Sequence, residues 1–172
     1  MNDDIWDDND YPIAYFITFR THGTWLHGNE RTSVDRHGKN IYGQEKIGLD
    51  PMFSALMDRS MNSEPFSLNG SQRKIVRLAI IAVCDFRGYV LKAVNVRTNH
   101  VHAVVSALTS PDKVLNAFKS NATRELRQAC LANVAQKVWS RGGSTRYLWK
   151  PSNVSNAIEY TINGQGDDLP EF

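Results

Sequence analysis

Two histidines, one residue apart, are the clearest chemical signal in the sequence. His100 and His102 lie in the segment Asn99-His100-Val101-His102-Ala103, whose apolar and β-branched residues are typical of a strand. Side chains alternate along a strand, so both imidazoles project from one face, while Val101 and Ala103 project from the other. Two imidazoles at this spacing are close enough to bind one metal ion. The pattern alone is weak evidence, because two unrelated strand histidines with ordinary hydrogen bonds give the same pattern.

A tyrosine near the C-terminus is the second group that can do chemistry. Tyr160 falls on the polar side of a predicted helix at 153–163, with Asn156 and Asn163. The apolar stripe of that helix is predicted at Val154, Ala157, Ile158 and Ile162. A phenol beside a metal site can attack a phosphorus atom and form a covalent phosphotyrosine, which keeps the energy of the broken phosphodiester. An ordinary tyrosine at the rim of the surface is the alternative.

The elements that must position these groups follow one another in a regular order. The patterns predict strand, helix, strand, strand, helix, strand and a terminal helix, at 13–20, 71–87, 89–96, 99–106, 111–135, 146–149 and 153–163. This order is the split βαβ, or ferredoxin-like, pattern of an α+β domain. We expect an antiparallel sheet with helices on one face, the other face free for nucleic acid, and the tyrosine on the C-terminal helix.

Local signals predict the ends and the buried faces of these elements. Ser71 is the predicted N-cap of the first helix, and Gly88 its end. Segment 138–140 is expected to form a hairpin with the strand at 146–149. Helical spacing predicts that the first helix buries Ile75, Leu78, Ala79, Ala82 and Phe86. In the second helix it predicts a buried stripe of Val114, Leu115, Phe118, Leu126 and Cys130.

The chain has the length of one globular domain and an uneven distribution of charge. Residues 1–10 hold five aspartates and no basic residue, so the rest of the chain carries +7 although the overall net charge is only +2. Basic residues concentrate in 73–97 and 124–150, which suits a phosphate-bearing partner, although solvated helix faces are often basic too. We expect an acidic tail at 1–12 and a single domain at 13–172, with an insertion at about 29–70.

The composition argues against membrane and secreted classes of protein. No apolar run approaches the roughly 20 residues of a membrane span, and the acidic N-terminus is unlike a signal peptide. Cys84 and Cys130 both fall in predicted helices, far apart in sequence, and reduced thiols are the simpler interpretation. The sequence therefore predicts a cytoplasmic protein without membrane contact.

The segment Asn99-His100-Val101-His102, followed by valines, resembles the HUH motif (His, hydrophobic, His) of single-tyrosine transposases. That family includes the small insertion-sequence enzymes and the REP-associated tyrosine transposases. The resemblance extends to the opening strand Tyr15-Phe16-Ile17-Thr18-Phe19-Arg20, to the segment from Trp139 to Trp149, and to a C-terminal tyrosine followed closely by a glutamine. It covers most of residues 13–166 in the family's order, and 29–70 is the poorest match.

The resemblance implies a metal-dependent nickase and transposase for single-stranded DNA. In such enzymes the two histidines, here His100 and His102, and a polar residue near the tyrosine hold one Mg²⁺ or Mn²⁺, which stabilises charge on the scissile phosphate. The tyrosine, here Tyr160, attacks and leaves a 5′-phosphotyrosine and a free 3′-OH. The single-stranded substrate usually lies beside a hairpin that the protein recognises. Members work as homodimers, and in many of them the tyrosine helix serves the histidine pair of the partner.

The sequence departs from the family's pattern at the third metal ligand. The family's glutamine usually lies four residues after the tyrosine, but Gly164 occupies that position here and the glutamine is Gln165. On an unbroken helix Gln165 would point away from Tyr160, and Asn163 would share the tyrosine's side better. Gly164 can end or distort the helix and so redirect Gln165. We favour Gln165 as the third ligand, with Asn163 as the alternative.

Further residues are candidates for contact with DNA. Basic residues at strand ends near the expected open face are predicted to contact the DNA backbone, although each alone is nearly as compatible with solvated surface: Arg97, Arg141, Arg146 and Lys150. Trp139, Tyr147 and Trp149 are candidates for base stacking, but core or dimer-interface positions are more typical of such residues. His22 and His27 are candidates for metal or phosphate contacts, although polar loop positions are the more common role.

Together these residues predict a single-stranded DNA endonuclease and strand transferase that acts through Tyr160. Two other functions stay open at this point. One is a non-catalytic nucleic-acid-binding module of the same fold, which would keep the basic face without covalent chemistry. The other is a metal-dependent hydrolase that uses His100 and His102 with water as nucleophile and forms no protein–DNA adduct.

Overall fold

The computed structural model describes residues 11–24, 64–167 and 169. Within them the elements follow the predicted order: β1 (Ala14–Arg20), α1 (Gly70–Arg87), β2 (Val90–Val96), β3 (His100–Ser106), α2 (Pro111–Gln128), β4 (Ser144–Leu148) and α3 (Pro151–Asn163). Most of the predicted acidic tail, and residues 29–63 of the predicted insertion, lie outside the described residues. Residues 64–69, which the predicted insertion included, belong to the body of the fold, because Phe66 and Leu68 are buried in its core.

The four strands form one antiparallel sheet in the order β2-β3-β1-β4. The two strand–helix–strand units interleave, so that β3 lies between β1 and β2, and β1 lies between β3 and β4. This arrangement confirms the predicted α+β, ferredoxin-like fold. Alternate residues of the central strands pack with α1 and α2 in the main core: Tyr15, Ile17, Phe19, Val101, Ala103 and Val105.

Helix α3 packs on the opposite face of the sheet from α1 and α2. Its buried residues Val154 and Ala157 belong to a second apolar cluster, together with Ala14 of β1 and Val104 of β3. These strand residues alternate with those of the main core and therefore point to the other side of the sheet. The face that was expected to be free for nucleic acid is thus partly covered by the helix that carries Tyr160.

Asn69, and not the predicted Ser71, is the N-cap of α1. The Asn69 side chain accepts a hydrogen bond from the Gln72 backbone N–H at 2.9 Å, and Gln72 Oε1 accepts one from the Asn69 backbone N–H at 2.8 Å. This reciprocal pair is a capping box and satisfies two backbone donors at the start of the helix. The helix ends as predicted at Gly88, whose φ of 68° is the left-handed conformation that favours glycine.

The buried face of α1 differs from the predicted one. Ala79 is buried as expected, but Leu78, Ala82 and Phe86 are exposed, and the core also takes Val76, Ile80, Val83 and Cys84. Nearly every position from 75 to 84 is apolar. Helical spacing alone therefore does not decide which side of this helix packs against the sheet.

Helix α2 ends at Gln128, seven residues before the predicted end. Cys130 adopts a left-handed φ of 56° and is exposed, so its predicted place in the buried stripe is wrong. No glycine or proline marks this break in the sequence. The other residues of the predicted stripe are buried: Val114, Leu115, Phe118 and Leu126.

The predicted hairpin between 138–140 and the last strand is wrong. Both segments pair with the first strand or its continuation: Trp139 forms an isolated bridge with Thr21, just beyond β1, and β4 pairs with β1 along its length. Gly143 lies so close to β1 that a Cβ at this position would stand 2.8 Å from the carbonyl oxygen of Thr18. Glycine is thus required at 143 for the close approach of two backbones.

The cysteine side chains and the length of the apolar helices bear on the predictions of reduced thiols and of no membrane span. Both cysteines are free. Burial, and to a smaller extent the charge of Asp85, raises the pKa of the Cys84 thiol to about 11, so this thiol stays protonated at neutral pH. Among the described helices, none is long and apolar enough to span a membrane.

Candidate active site

The two histidines of β3 lie side by side on the face of the sheet that α3 partly covers. Strand alternation separates them from the core residues Val101 and Ala103. The ring centroids of His100 and His102 are 4.8 Å apart, with an interplanar angle of 73°. His102 is buried, with 6% of its surface exposed, whereas His100 is partly exposed. The pair forms a compact site with two imidazoles.

His102 is held by two residues of the neighbouring strand β1. Thr18 pairs with His102 in the sheet register, and its hydroxyl oxygen lies 2.8 Å from His102 Nδ1. The Phe16 ring stacks on the imidazole, with centroids 5.4 Å apart and an interplanar angle of 18°. When Nδ1 donates to the hydroxyl, Nε2 carries the lone pair and can bind a metal ion. Thr18 and Phe16 therefore hold this ring in one orientation.

His102 is neutral at physiological pH. Burial, the largest cause, and the charges of His100 and Arg20 lower the pKa of His102 to about 4, while a hydrogen bond with Gln165 acts in the opposite direction. Metal ions bind the neutral imidazole, because protonation occupies the lone pair. The surroundings of His102 therefore favour a role as ligand over a role as a cation that contacts phosphate.

Helix α3 presents Tyr160 to the histidine pair of its own chain. The Tyr160 ring centroid lies 5.6 Å from that of His102 and 6.0 Å from that of Phe16, both in edge-to-face arrangements. Half of the tyrosine surface is exposed (49%), so a substrate can reach it. The helix comes this close to the sheet because its buried residues are small or β-branched: Val154, Ala157 and Thr161.

Two hydrogen bonds from β2 and the turn that follows it hold the C-terminal end of α3. Asn95 Nδ2 donates to the carbonyl oxygen of Thr161 at 2.9 Å. Arg97 Nη1 donates to the carbonyl oxygen of Asp167, also at 2.9 Å. These contacts fix the chain on both sides of residue 165, close to the histidines. Arg97, a predicted DNA contact, therefore also anchors the segment that follows the tyrosine.

Gln165, and not Asn163, reaches the histidine pair. Asn163 is the last residue of α3, and its amide donates to Glu159 Oε1 at 2.8 Å on the exposed side of the helix. Gln165 turns back toward the sheet, where its Nε2 donates to the carbonyl oxygen of Tyr160 at 3.1 Å. Its Oε1 lies 3.1 Å from His100 Nε2. Of the two candidate third ligands, the structure brings Gln165 to the site.

Gly164 explains why the glutamine lies five residues after the tyrosine. A Cβ at position 164 would stand 2.7 Å from Tyr160 Cδ2 and equally close to the Tyr160 carbonyl oxygen. A side chain at this position would therefore displace the tyrosine ring. The helix ends at this glycine, and the next residue supplies the amide that faces His100.

The contact between His100 and Gln165 is suited to a cation. Asn99 Oδ1 lies 2.6 Å from His100 Nδ1, so this nitrogen donates to the amide oxygen, and in the neutral form of the ring His100 Nε2 then offers a lone pair. Gln165 Oε1 also offers a lone pair, since the amide nitrogen of that side chain is the atom that donates to Tyr160. Neighbouring ligands of an octahedral ion with bonds of about 2.1 Å lie ~3 Å apart, which is close to the observed separation.

Among the described residues, the third group beside the histidines that can bind a metal ion is an amide. Among the described residues, no group of three or more His, Cys, Asp and Glu side chains could hold a metal ion. Two imidazoles and one amide oxygen form a mixed nitrogen and oxygen donor set that suits a divalent ion with open positions for water or substrate. The residues present therefore fit a divalent metal, provided that Gln165 takes part.

A cleft of about 580 Å³ opens beside Tyr160 and His102. Its walls come from β1, β4 and α3, and its lining includes Arg146 and the two amides of Asn153 and Asn156. Arg146 pairs with Phe16 in the sheet register, so both side chains project from the same face as the histidines. The cleft thus combines a phenol, a guanidinium and neutral donors, which are groups that contact a phosphodiester.

The other polar residues that were predicted to contact DNA, metal or phosphate do not line this cleft where the structure describes them. Lys150 is the exposed N-cap residue of α3, at the junction with β4. Arg141 is exposed in the loop before β4 and does not line the cleft. His22 follows β1, where its backbone bonds to Val138 and Phe66, and it does not line the cleft either. His27 lies outside the described residues.

The three aromatic candidates for base stacking have different positions. Trp139 is 9% exposed, packs edge-to-face on Phe19 at 4.9 Å and donates from Nε1 to the Lys119 carbonyl oxygen, so it is a core residue. Tyr147 and Trp149 lie at the sheet edge, half exposed, with nearly parallel rings whose centroids are 6.2 Å apart. Only this second pair is accessible to a base.

Phe16, Thr18 and Arg20 are site residues that the sequence patterns do not single out. They alternate along β1 and pair with β3 at positions 104, 102 and 100, respectively. Their spacing in a predicted strand shows that they share one face. Only the pairing of β1 with β3 shows that this face is the one with the histidines.

The comparison with protein families now bears on this site. The family model described as "Transposase IS200 like" matches residues 61–159, which is more than half of the chain and includes the histidine pair. The chain belongs to the IS200-like transposase family. The match confirms the predicted family. Membership in this family supports a transposase-like function in DNA processing for the chain. The matched region ends one residue before Tyr160 and does not include this tyrosine.

A solved structure offers a second comparison. The chain is similar to a REP-associated tyrosine transposase bound to a REP hairpin, with 14% sequence identity and a TM-score of 0.47. The similarity covers 90% of this chain and 69% of that chain. Among curated proteins, none matches the sequence.

Proposed function

We propose that this IS200-like transposase cuts and rejoins single-stranded DNA through Tyr160, with a 5′-phosphotyrosine intermediate and a divalent metal ion. The observation that carries the proposal is the position of the Tyr160 ring, 5.6 Å from the His102 ring and half exposed at the cleft. A nucleophile in phosphoryl transfer needs a fixed position, a polar site for the phosphate beside it, and access for the substrate.

In the proposed cleavage step, the phenol oxygen of Tyr160 attacks the scissile phosphorus in line with the 3′ oxygen. A bond forms between phosphorus and the phenol oxygen, and the bond from phosphorus to the 3′ oxygen breaks. The phenol proton passes to solvent, and the departing 3′ oxygen takes up a proton to become a 3′-OH. In the joining step a 3′-OH attacks the phosphotyrosine and the phenol leaves, so no nucleotide cofactor is needed.

The proposed ligands of one Mg²⁺ or Mn²⁺ are His100, His102 and Gln165. When bound, a divalent ion supplies positive charge to the non-bridging oxygens of the phosphate, where negative charge grows during attack. The chain prepares these ligands through its own contacts. Burial keeps His102 neutral, and the Thr18 hydroxyl orients its ring. Asn99 holds the ring of His100 through a hydrogen bond at Nδ1.

The proposed contacts to the DNA backbone begin inside the cleft with Arg146. Lys150 and Arg141 are exposed on the β4 side and are proposed to contact phosphates farther along the strand. Arg97 is a further proposed contact. Its bond to Asp167 uses one of five N–H donors of the guanidinium and therefore does not prevent a phosphate contact.

The proposed partner is single-stranded DNA beside a hairpin, and the proposed assembly is a homodimer in the cytoplasm, in line with the family. Because Tyr160 lies beside the histidines of its own chain, each subunit would hold one complete set of catalytic groups. Mixing His100→Ala and Tyr160→Phe subunits should then fail to restore cleavage. Restored cleavage would show that the tyrosine serves the other subunit. Analytical ultracentrifugation of the 19.4 kDa chain tests the dimer.

A denaturing-gel assay tests the activity. The protein is incubated with labelled single-stranded DNA from the flanks of its own gene, with Mn²⁺ or Mg²⁺ and with EDTA. We expect an adduct that survives denaturation, requires metal, and is absent from both Tyr160→Phe and His100→Ala. Cleavage without an adduct that persists in Tyr160→Phe would indicate a hydrolase with water as nucleophile. Binding of several flanking sequences without cleavage would indicate a non-catalytic module.

A further inference from the structure

We infer that the acidic segment 1–10 of this chain binds in an apolar groove between α1 and α2 and shields the cations beside that groove from DNA. The groove has a volume of about 610 Å³, and we call it the α1–α2 groove. Its α2 side includes Arg124, and its α1 side is apolar and includes Ile75, Leu78, Ala82 and Phe86. Both helices pack on the opposite face of the sheet from Tyr160. The binding is therefore separate from the proposed chemistry.

The apolar side of the α1–α2 groove is open to solvent. Phe86 is 89% exposed and Leu78 is 53% exposed, and Ala82 between them is exposed too. These three residues are four positions apart, so they form one stripe along α1. A contiguous apolar stripe on the outer side of a helix is typical of a surface that binds a partner.

Cations border this stripe. Arg87 and Arg124 line the α1–α2 groove and also a second groove of about 920 Å³ along α2, which Lys113 and Arg127 line as well. All four side chains are exposed. Among the described residues of the α1–α2 groove, Glu125 is the acidic one, and its carboxylate lies 2.9 Å from Arg124. A complementary occupant therefore combines large apolar side chains with several carboxylates.

Two other occupants fit this surface less well. Helix α1 contains four basic residues and one acidic residue, so two copies of it packed face to face would bring like charges together. A nucleic acid would satisfy the cations. The aliphatic side chains of Leu78 and Ala82, however, offer a base neither a ring for stacking nor a hydrogen bond.

Residues 1–10 have the composition that this surface requires. Ile5 and Trp6 are adjacent large apolar residues, and aspartates stand on both sides of them, at positions 3, 4, 7, 8 and 10. The segment has no basic residue. Ile5 and Trp6 can therefore cover the apolar stripe while the carboxylates around them contact Arg87 and Arg124.

The chain enters the fold at the end of the sheet where α1 ends. Ser106 Oγ donates to the carbonyl oxygen of Ile13 at 2.6 Å, and Ser106 pairs with Val90 of β2. Val90 follows Phe86 by four residues. Two strand spacings of about 4.8 Å and four residues of at most ~3.6 Å each bring Phe86 within about 24 Å of Ile13. The seven residues from Trp6 to Ile13 span about the same distance when extended, so Trp6 can reach Phe86 of its own chain.

Nuclear magnetic resonance of the full chain tests the binding without DNA. We expect nuclear Overhauser effects from the Trp6 indole to the Phe86 ring and to the Leu78 methyl groups at low salt. The effects at Leu78 should disappear in Phe86→Ser, which replaces an exposed side chain and leaves the core intact. Val134→Ser is the matched control, because Val134 is 78% exposed and does not line the groove. It should keep every effect, and a wild-type spectrum without them would overturn the inference.

Fluorescence anisotropy with a labelled single-stranded oligonucleotide measures the consequence for DNA. The double variant Ile5→Ser with Trp6→Ser keeps all five aspartates, so a gain in its DNA affinity reports lost apolar contacts and not lost charge. We expect this variant and Phe86→Ser each to bind DNA about fivefold more tightly at about 0.05 M salt. Combining them should give no further gain, because both remove the same contact. Val134→Ser should bind DNA like the wild-type protein.

Two results in the DNA experiment contradict the inference. DNA affinities equal to that of the wild-type protein in both variants would show that the segment does not compete with DNA. Weaker DNA binding by Phe86→Ser would assign this ring to base stacking instead. Formation of the Tyr160 adduct is measured on the same samples. Its absence would count against the proposed function alone, because the Overhauser effects require neither DNA nor metal.

Discussion

Thr18→Val tests whether a strand neighbour prepares His102 as a metal ligand. The substitution removes the hydroxyl that lies 2.8 Å from His102 Nδ1 and keeps the size and branching of the side chain. The ring is buried, so water replaces the lost partner poorly, and an unsatisfied buried group costs about 1–3 kcal/mol. The imidazole is then expected to rotate or to change tautomer, and either change removes the Nε2 lone pair from the site.

The expected effect is a weaker metal site on an intact fold. Loss of a hydrogen bond that orients a ligand lowers metal affinity about 10- to 100-fold, or about 1.4–2.7 kcal/mol. Titration with Mn²⁺, followed by the electron paramagnetic resonance signal of the free ion, measures this directly without DNA. Adduct formation at subsaturating Mn²⁺ should fall by a similar factor and recover in part at high Mn²⁺.

Two further variants decide whether the hydroxyl is responsible. Thr18→Ser restores a hydroxyl and should recover most of the Mn²⁺ affinity. Thr145→Val removes a hydroxyl from β4 at a position that pairs with Ile17 and faces the other side of the sheet, so it should bind Mn²⁺ like the wild-type protein. Unchanged Mn²⁺ affinity in Thr18→Val, with a normal circular dichroism spectrum, would refute the reasoning.

Three more predictions concern the tyrosine, the pH dependence and the loop before β4. Gly164→Ala should slow adduct formation at least about tenfold with little change in DNA affinity. The added Cβ would stand 2.7 Å from Tyr160 Cδ2 and displace the proposed nucleophile. An unchanged single-turnover rate would contradict this prediction. The metal-free protein should lose up to about 3 kcal/mol of stability as the pH falls from 6.5 toward 4, since His102 stays neutral when folded but takes up a proton when unfolded. Urea titrations at several pH values check this, and a profile equally steep in His102→Gln would assign the loss to other groups. Lys119→Met should lower the free energy of unfolding by about 1–3 kcal/mol, because two carbonyl groups lose their donor. The exposed Lys113→Met serves as its control in the same urea experiment, and equal stability of the two variants would show that the loop contacts contribute little.

The fold and the histidine pair were predictable because both depend on local periodicity. Alternation within β3 places His100 and His102 on one face whatever the partner strands are. The order of strands and helices, together with the handedness rules for such units, leaves few sheets to choose from. The buried face of α1 was not predictable, since Leu78 and Val83 are equally apolar and the choice between them depends on packing with α2.

The meeting of Tyr160 with the histidines depends on contacts that local patterns do not contain. Asn95 and Thr161 are 66 residues apart in sequence, and their hydrogen bond helps to seat α3 on the second face of the sheet. The direction of Gln165 depends on the helix ending at Gly164, where the family's glutamine would stand. Sequence reasoning could name these residues as candidates, but the geometry that separates Gln165 from Asn163 comes from the end of one helix.

The two groups central to the proposed chemistry have opposite requirements for solvent, and α3 meets both. A histidine ligand has to stay neutral, and His102 does so because Phe16 and α3 shield it from water. A tyrosine nucleophile has to remain accessible, and Tyr160 is half exposed although its ring touches the same imidazole. A helix packed by small residues such as Ala157 can lie close enough to bury the first ring while presenting the second at its edge. Bulkier residues at that contact would move α3 outward, which would hydrate His102 and withdraw Tyr160 together. The protonation state of the proposed ligand and the position of the proposed nucleophile are therefore coupled through the packing of a single helix.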